Sequence, residues 1–250
     1  MIEKSEIILL ATKLSLSPDT VEKDYVLSWL LWGINNHKYF SDTWVFKGGT
    51  SLKKCFFETF RFSEDLDFTL IETEHFSVDY LKNKFNEITE SIYDETGIEF
   101  FKEQFKIKII PKKDGKFSAQ CNLHYNGPLR RRNSFASIKL DLTNDEVIIS
   151  NPVKKRVHHP YSDNPTDYMW ATCYSFEEVV AEKIRALGQR ARPRDLYDVI
   201  LFYRNKKIIN NRQLIYLILE EKCNYKEIFV IRYTKFKYYK FSLSRKKISN

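Results

Sequence analysis

The alternation of apolar and polar residues predicts helices first, then a group of strands, and then helices again. Apolar positions recur at helical spacing over most of the first forty residues, and Ser17 followed by Pro18 marks the start of a helix that includes residues 21–34. Beyond this helix the pattern changes to a short strand and a Gly-Gly turn. The elements predicted next are a strand at 43–46, a helix at 50–60 and a strand at 61–70.

The middle of the chain has the period of a sheet. A charged amphipathic helix is predicted at 77–94, and it ends before a glycine. Short runs of alternating or apolar residues follow it, separated by turn residues such as Asn, Gly and Pro. The predicted strands are 105–110, 117–125 and 135–142.

The C-terminal part returns to helical spacing. Ser175 and Glu178 form the pattern of a capping box at the start of one helix, and a second helix is predicted at 194–202. The fold class predicted from these elements is α+β, with a mixed sheet and flanking helices. We expect one domain at 1–150 and a mainly helical domain with a basic tail at 151–250.

Composition limits the class of protein. The chain has 250 residues, 43% of them hydrophobic and 30% charged, with only seven glycines and seven prolines, which excludes a disordered or collagen-like chain. No apolar run approaches the roughly 20 residues that span a bilayer. The four cysteines lie far apart, and the first residues do not resemble a signal peptide. We therefore expect a soluble, cytoplasmic protein with no membrane partner.

The positive charge is concentrated at the C-terminus. The formal net charge is +8, and residues 223–250 contain eight basic residues and one acidic residue, interleaved with Tyr and Phe. A basic, aromatic segment is typical of proteins that bind nucleic acid. A solvated tail that maintains solubility explains the same charge count, so the charge leaves both interpretations open.

The Gly-Gly turn is a candidate phosphate site. It lies in the run Lys47-Gly48-Gly49-Thr50-Ser51, between a predicted strand and a predicted helix. Glycines let backbone N–H groups approach an anion closely, the start of a helix favours negative charge, and the two hydroxyls can add donors. An ordinary turn is the alternative interpretation.

Alternating acids on two predicted strands are candidate metal ligands. Asp65 and Asp67 share one face of their strand while Leu66 and Phe68 share the other, and Asp141 has the same relation to its apolar neighbours. Carboxylates next to bound phosphates are what Mg²⁺ requires. If the two strands pair, the three acids form the cluster used in two-metal phosphoryl transfer. Ordinary amphipathic strands are the alternative.

The helical part contains a second group of charged residues. Lys183 borders the apolar stripe of its helix, Arg190 lies further along the same side, and Arg194, Asp195 and Asp198 begin the next helix. Acids in a first helical turn and basic residues at the edge of a stripe are also common for structural reasons. His158 and His159 have no ligand partner at helical or strand spacing, so the sequence assigns them no role.

Six short stretches together resemble the nucleotidyltransferase toxins of the AbiEii/AbiGii abortive-infection family, relatives of the MenT toxins in the DNA polymerase β-like nucleotidyltransferase superfamily. They cover residues 20 to 202 in order and spacing. The stretches are Val21-Glu22-Lys23-Asp24-Tyr25, Phe46-Lys47-Gly48-Gly49-Thr50-Ser51-Leu52, Arg61-Phe62-Ser63-Glu64-Asp65-Leu66-Asp67-Phe68, Lys139-Leu140-Asp141, Glu182-Lys183-Ile184-Arg185-Ala186 and Arg192-Pro193-Arg194-Asp195-Leu196-Tyr197-Asp198.

The resemblance implies a nucleotidyltransferase fold followed by a helical part, with Mg²⁺ and a nucleoside triphosphate as cofactor and co-substrate. Carried over by position, it implies metal binding by Asp65, Asp67 and Asp141, and catalytic roles for these acids and for Lys183, Asp195 and Asp198. Ser63 aligns with a serine that related antitoxin kinases can phosphorylate. The nucleotide-binding residues implied in this way are Lys47, Gly48, Gly49, Thr50, Ser51, Ser63 and Arg194.

The implied function is that of a toxin in a type IV-like toxin-antitoxin or phage-defence system. Such an enzyme transfers a nucleoside monophosphate to RNA, expected here at tRNA 3′ ends, and has a co-encoded antitoxin as its partner. Two alternatives stay open: a small-molecule nucleotidyltransferase of the antibiotic-modifying kind, and a degenerate member that binds nucleotide or RNA without turnover. The tail from Tyr225 departs from the further helical sequence that is common in the family.

Overall fold

A computed structural model describes residues 1–58, 60–71, 77–131, 135–205 and 211–228. The chain divides into two compact units. The first contains Met1–Asp145 and Pro152–Cys173, and the second contains Glu146–Asn151 and the chain from Tyr174 onward. Among the helices in the described ranges, none is long and apolar enough to cross a membrane.

Side-chain caps begin two of the long helices in the first unit. The Ser17 hydroxyl accepts a hydrogen bond from the Thr20 amide, and the Ser77 hydroxyl accepts one from the Tyr80 amide. The predicted helix starts at these serines are therefore confirmed. The helices of this unit are α1 (Lys4–Leu14), α2 (Pro18–Asn36), α3 (Phe40–Thr43), α4 (Gly48–Ser51) and α5 (Val78–Thr96).

One mixed sheet contains the eight strands found in the described residues. They are β1 (Trp44–Lys47), β2 (Asp65–Leu70), β3 (Glu99–Phe100), β4 (Lys106–Pro111), β5 (Phe117–Asn126), β6 (Ala136–Thr143), β7 (Val153–Arg156) and β8 (Trp170–Cys173). The order across the sheet is β3-β5-β6-β2-β1-β8-β7, and β4 pairs with β5 outside this path. β2 pairs with β6 and β1 with β8 in parallel, and the other pairs are antiparallel. The predicted α+β class is confirmed.

The core of the first unit lies between the sheet and its helices. Leu66 and Phe68 of β2 and Leu140 of β6 are completely buried, as the alternating pattern predicts. α2 is buried on most sides, and its residues Tyr25 and Trp29 pack in the same core. Burial of these apolar side chains on one side of the sheet leaves the alternating polar residues of β2 and β6 on the other side.

The segment after β1 differs from the predicted helix at 50–60. α4 is only one turn long, and the chain continues as a π-helical turn at Leu52–Phe56 that ends before Phe57. The predicted strand at 61–70 also begins later, because the pairing of β2 with β6 starts at Asp65. The pattern of apolar residues indicates which positions are buried. At 50–70 it did not distinguish irregular buried turns from a regular helix and strand.

Two strands of the sheet lie beyond residue 150, where the sequence pattern placed the end of the first domain. β7 and β8 are absent from the predicted elements. β7 has the sequence Val-Lys-Lys-Arg, and its three basic residues are exposed, so it lacks the apolar alternation of a half-buried strand. Pairing with β8, and of β8 with β1, joins both strands to the first unit.

The regular elements among the described residues of the second unit are all helices. It contains α6 (Phe176–Arg190), α7 (Pro193–Arg204) and α8 (Arg212–Tyr225). The Ser175 hydroxyl accepts the hydrogen bond of the Glu178 amide, so the predicted helix start is confirmed. The Glu178 carboxylate does not complete a capping box; it accepts hydrogen bonds from the amides of Ile149 and Ser150 and pairs with buried Lys222. These partners of the buried carboxylate are distant in sequence, so local spacing could not predict them.

Candidate active site

Gly48 follows the last residue of β1 and fits a position that no other residue would occupy without strain. Its φ is +82°, in the left-handed region, and a Cβ added there would lie 2.2 Å from Oδ2 of Asp67. The backbone of the turn and the Asp67 carboxylate are therefore in direct contact. The structure brings together the two motifs that the sequence pattern separates by about 20 residues.

The two hydroxyls of the turn are used inside the protein. Thr50 Oγ1 donates a hydrogen bond to the backbone oxygen of Asp65 at 2.6 Å, and Ser51 Oγ donates one to the backbone oxygen of Gly48 at 2.9 Å. Both side chains are buried. Thr50 thus ties the turn to the start of β2, and these two hydroxyls shape the turn in this state rather than extend from it as donors.

The acids of β2 and β6 lie side by side. Asp67 is the register partner of Asp141 across the parallel pair, and Asp65 is opposite Lys139. Lys47 of β1 is opposite Asp67 on the other side of β2. Residues opposite one another in adjacent strands share a face of the sheet, so Lys47, Asp67 and Asp141 form one row. The strand pairing that the three-carboxylate hypothesis requires is present.

A lysine lies among the three acids. Lys139 forms an ion pair with Asp141. Partial burial lowers the pKa of Lys139, but the hydrogen bond to Asp141 and the attraction of Asp141, Asp65 and Asp67 outweigh it, so the pKa is raised. All three carboxylates therefore act on one ammonium group, which shows that this face attracts a cation.

The donor set fits a hard divalent cation in its chemistry, although the side chains are arranged around Lys139. Carboxylate oxygens on neighbouring strands are ligands that Mg²⁺ prefers. Within the described ranges, no three His, Cys, Asp or Glu side chains are grouped closely enough to hold a metal ion as they stand. A metal at Asp65, Asp67 and Asp141 would therefore replace the Lys139 ammonium as the counter-charge.

Ser63 and Arg61 lie against the second glycine of the turn. A Cβ at Gly49 would be 3.1 Å from Nη2 of Arg61 and 3.2 Å from Oγ of Ser63. Ser63 is thus where the sequence motif predicts it, next to the glycine backbone. Arg61 adds a guanidinium that the residue pattern did not single out. Its signal was its position two residues before Ser63 in the same motif.

The charged residues of the second unit form a separate, mostly buried cluster. Nζ of Lys183 lies 3.2 Å from Oδ1 of Asp195 and 2.9 Å from Oδ2 of Asp198. Nε of Arg190 lies 2.8 Å from Oδ2 of Asp195. Burial raises the pKa of Asp195, but Arg190 and Lys183 outweigh it, so the pKa of this carboxyl lies below its ordinary value. The Lys183 ammonium is held by two acids.

The remaining candidates have different surroundings. Arg194 is on α7 next to Asp195, and its side chain is exposed. The described residues include only the first part of the predicted basic tail, because residues 229–250 lie outside them. The predicted site residues therefore fall into one group in the first unit, at 47–51, 63–67 and 141, and another in the second unit, at 183–198.

A family model and solved structures match the chain. The model described as "Nucleotidyl transferase AbiEii toxin, Type IV TA system" matches residues 29–247. A comparison with curated proteins finds no match. The structure of MenT4, a nucleotidyltransferase toxin from Mycobacterium tuberculosis H37Rv, is similar with a TM-score of 0.54 and 19% identity, over 88% of this chain and 69% of that chain. JHP933 from Helicobacter pylori is similar with a TM-score of 0.53 and 19% identity, over 80% and 72%.

Proposed function

Since the chain belongs to the AbiEii family of nucleotidyltransferase toxins, we propose that it transfers a nucleoside monophosphate from a nucleoside triphosphate to RNA in a magnesium-dependent reaction. The expected acceptor is the 3′ end of tRNA. Modification of that end would block aminoacylation and translation, which agrees with a toxin. The expected setting is a cytoplasmic toxin-antitoxin or phage-defence system, with a cognate antitoxin as the protein partner.

One observation carries the proposal: the Gly48 turn touches Asp67, and Asp67 lies in register with Asp141. A nucleotidyltransferase must hold the triphosphate and the metal ions in contact with each other, because the metals bind phosphate oxygens as well as carboxylates. A glycine backbone that touches one of the acids meets this requirement. Lys47 and Arg61 add positive charge beside the same turn.

The acids and the glycine turn have distinct roles in this reaction. Asp65, Asp67 and Asp141 would hold Mg²⁺, which supplies charge that lowers the pKa of the attacking hydroxyl and stabilises the leaving group. The hydroxyl oxygen forms a bond to the α-phosphorus as the bond to the pyrophosphate oxygen breaks. The hydroxyl proton passes to a carboxylate oxygen of the cluster. The backbone amides at Gly48 and Gly49 orient the triphosphate.

Lys183 is the phosphate-binding residue that we assign to the second unit. An ammonium group has three N–H donors, and two of them are directed at Asp195 and Asp198. The third can donate to a phosphate oxygen. Asp195 and Asp198 are then positioning residues, since they fix the ammonium and lower the entropy lost when it binds its ligand. Arg194, exposed on α7, is proposed as a further nucleotide contact.

The direct test is transfer of label. Purified protein is incubated with total tRNA and each α-labelled nucleoside triphosphate in turn, with magnesium or with EDTA. We expect label in tRNA with one or more triphosphates, none in EDTA, and none with Asp67→Asn. Asp94→Asn removes one acid from an exposed position on α5 and should transfer label at the wild-type rate.

Three results would overturn parts of the proposal. Equal transfer by wild type and Asp67→Asn would show that the acidic cluster takes no part in the reaction. Label that never enters RNA but is released as modified small molecules would favour the antibiotic-modifying alternative. Triphosphate binding without any product would favour a degenerate, non-catalytic member.

A further inference from the structure

A basic and aromatic surface lies at one edge of the sheet in the first unit. β7 is the last strand in the sheet order of the described residues, and the side chains of Lys154, Lys155 and Arg156 on it are exposed. The neighbouring strand β8 and the chain just before it add two exposed rings, with Trp170 41% and Tyr168 47% exposed. Positive charge and aromatic rings are therefore exposed together on a small part of the protein.

The strand register places two of the basic residues and one ring on the same face. Arg156 is opposite Trp170, so these two side chains share a face, and Lys154, two residues from Arg156, shares it as well. Lys155 is opposite Ala171, which is completely buried, and belongs to the other face. We call the exposed group on the first face the β7 surface; its members are Lys154, Arg156, Tyr168 and Trp170.

Contacts within the β7 surface hold its rings in place. The guanidinium carbon of Arg156 lies 3.5 Å from the centre of the Tyr168 ring, a cation–π contact. Nε1 of Trp170 donates a hydrogen bond to the backbone oxygen of Asp167 at 3.0 Å. Nearly half of the Tyr168 surface stays exposed with the guanidinium in place. Both rings are thus oriented by the protein and remain accessible to a planar ligand.

The backbone of Tyr168 adopts a conformation that is unfavourable for a large side chain. Its φ is +57°, in the left-handed region, where tyrosine is uncommon. Its amide donates a hydrogen bond to the backbone oxygen of Pro165 at 3.0 Å, which closes the turn. Glycine or asparagine would form the same turn at lower cost, so folding alone does not account for an exposed tyrosine here. Backbone strain of this kind is typical of functional positions.

The charge of the β7 surface favours an anionic partner. In the part of the chain that the structure describes, no carboxylate lies within ion-pair distance of Lys154 or Arg156. Asp167 is an exposed acid in the adjacent turn, and the two basic side chains leave the surface with a net positive charge. Basic residues on an edge strand also prevent its pairing with other chains. That role requires charge alone and does not explain the two rings beside it.

The β7 surface lies on the same side of the sheet as the candidate active site. Phe46 of β1 is opposite Cys173 of β8, and both are in the core. Side chains alternate along a strand, so Lys47, which follows Phe46, and Trp170, three residues before Cys173, point away from the core. β7 is three strands from β2 in the sheet order. The usual strand spacing and rise per residue give a separation of roughly 15–20 Å between Asp67 and the β7 surface.

We propose that the β7 surface binds a single-stranded polynucleotide. Its two basic side chains contact phosphates, which supply the anions that Lys154 and Arg156 lack within the described chain. Its two rings stack on bases, which are free to do so in a single strand and are already stacked in a duplex. Identification of this strand as the RNA substrate, held while its 3′ end reaches Asp67, rests on the proposed function; the chemistry of the surface does not.

Tryptophan fluorescence reports binding at this surface directly. All four tryptophans lie in the described residues, and of these Trp170 alone is exposed. A short single-stranded RNA should quench the fluorescence of the wild type, in EDTA and without triphosphate so that the acidic cluster and its metal play no part. Trp170→Phe keeps a ring and should still bind labelled RNA in an anisotropy titration, but lose most of the quenching. Full quenching in Trp170→Phe would overturn the proposal.

Variants of the two rings separate binding from folding. Trp170→Ala and Tyr168→Asn should each weaken binding of the single strand about tenfold in an anisotropy titration, the effect of one lost base stack. Asparagine adopts the left-handed conformation more readily than tyrosine, so Tyr168→Asn should keep the urea midpoint of the wild type. The same variant should not weaken binding of a duplex of the same sequence. Unchanged binding of the single strand by both folded variants, or an equal loss for the duplex, would overturn the stacking contacts.

Variants of β7 test whether one face of the strand binds the phosphates. Lys154→Gln should weaken binding and reduce the slope of log K against the logarithm of the salt concentration by about 0.7, the value for one phosphate contact on a single strand. Lys155→Gln is the matched control, because it removes the same charge from the opposite face, and it should keep the wild-type slope. Equal effects of the two substitutions would overturn the proposal. Displacement of the RNA by polyglutamate as readily as by unlabelled RNA would also overturn it, in favour of an acidic protein partner.

Transfer kinetics test whether the bound strand is the substrate. If the β7 surface holds the acceptor RNA, Trp170→Ala should raise the KM for tRNA and leave kcat unchanged, since the contact is made equally before and during the reaction. Binding of RNA at this surface without any transfer would contradict the proposed function but not the polynucleotide site. Transfer with an unchanged KM in Trp170→Ala, despite its weaker binding, would contradict the role of the β7 surface in holding the substrate.

Discussion

Two clusters of charged residues in the first unit differ in how deeply their charges are buried. In the acidic face of β2 and β6, Asp65, Asp67 and Asp141 are partly exposed, and all three raise the pKa of Lys139. In the interior, Asp24 and Lys54 are 3% and 0% exposed in their side chains and pair at 2.6 Å. The first cluster is partly hydrated and has acids side by side, whereas the second is a buried pair of opposite charges.

This difference separates a candidate binding site from an ion pair that stabilises the fold. Lys54 also donates to Ser28, and the Tyr161 hydroxyl donates to Asp24 at 3.0 Å, so the interior cluster joins α2, the π-helical turn and the chain after β7. A balanced, buried pair holds elements together. Partly hydrated carboxylates that lie side by side repel one another slightly, and a bound cation relieves that repulsion. Substitutions in the two clusters should therefore have opposite signatures.

Asp141→Asn should give the largest effect on the reaction and a small one on the fold. Loss of a ligand at the reacting centre is expected to lower the transfer rate by about 10³-fold, comparable to removal of a group that stabilises transition-state charge. The midpoint of urea unfolding should change little, because the lost pair with Lys139 is partly exposed and a charge that repels Asp67 is removed as well. Transfer assays and urea denaturation on the same preparation test this. A large loss of stability would contradict the comparison.

Asp24→Ala should have the reverse effect, with a large loss of stability and a smaller effect on the reaction. It leaves the Lys54 ammonium buried and unpaired, which costs about 3–5 kcal/mol of unfolding free energy. Urea denaturation measures the loss, and Asp24→Ala combined with Lys54→Met should recover much of it because the orphaned charge is then gone. If Asp24→Ala had the same free energy of unfolding as the wild type, the interior ion pair would not stabilise the fold.

Gly48→Ala should lower both the transfer rate and the free energy of unfolding. The left-handed backbone costs a non-glycine residue about 1–2 kcal/mol, and the new Cβ would also displace Asp67 from 2.2 Å away. Gly97 is the matched control, since its φ is +74° and nothing lies within 4 Å of its Cβ position. Gly97→Ala should lose similar stability from strain alone and keep full transfer activity. Equal activity of the two variants would contradict the contact between turn and acid.

Lys84→Met should have the smallest effect. Nζ of Lys84 pairs with Glu87 one turn away on the surface of α5, with side chains 27% and 51% exposed. Exposed helical pairs contribute about 0.3–0.5 kcal/mol, so the urea midpoint should hardly move and transfer should be unchanged. A loss approaching that of Asp24→Ala would show that burial does not set the energetic difference between ion pairs.

The local features of the site could be predicted from the sequence, because they are set by neighbouring residues. The glycine turn, the alternation around Asp65 and Asp67, and the caps at Ser17 and Ser175 follow from propensity and period alone. The resemblance added the family, which the matched family model confirms.

Features that depend on strand order could not be predicted. Nothing local shows that Asp67 lies opposite Asp141 or that Lys139 joins them, because the register of a parallel pair is set by the whole sheet. The partner of His159 is a different case, because Asp163 lies only four residues further along the chain and the sequence pattern was wrong to find no partner at that spacing.

Calorimetric titration of Mn²⁺, as a substitute for Mg²⁺, tests the central claim that the acidic face holds a metal in place of Lys139. The account predicts saturable binding by the wild type, loss of that binding in Asp67→Asn, and tighter binding by Lys139→Met, from which the competing ammonium has been removed. Asp94→Asn should bind as the wild type does. Equal binding by wild type and Asp67→Asn, or weaker binding by Lys139→Met, would contradict it.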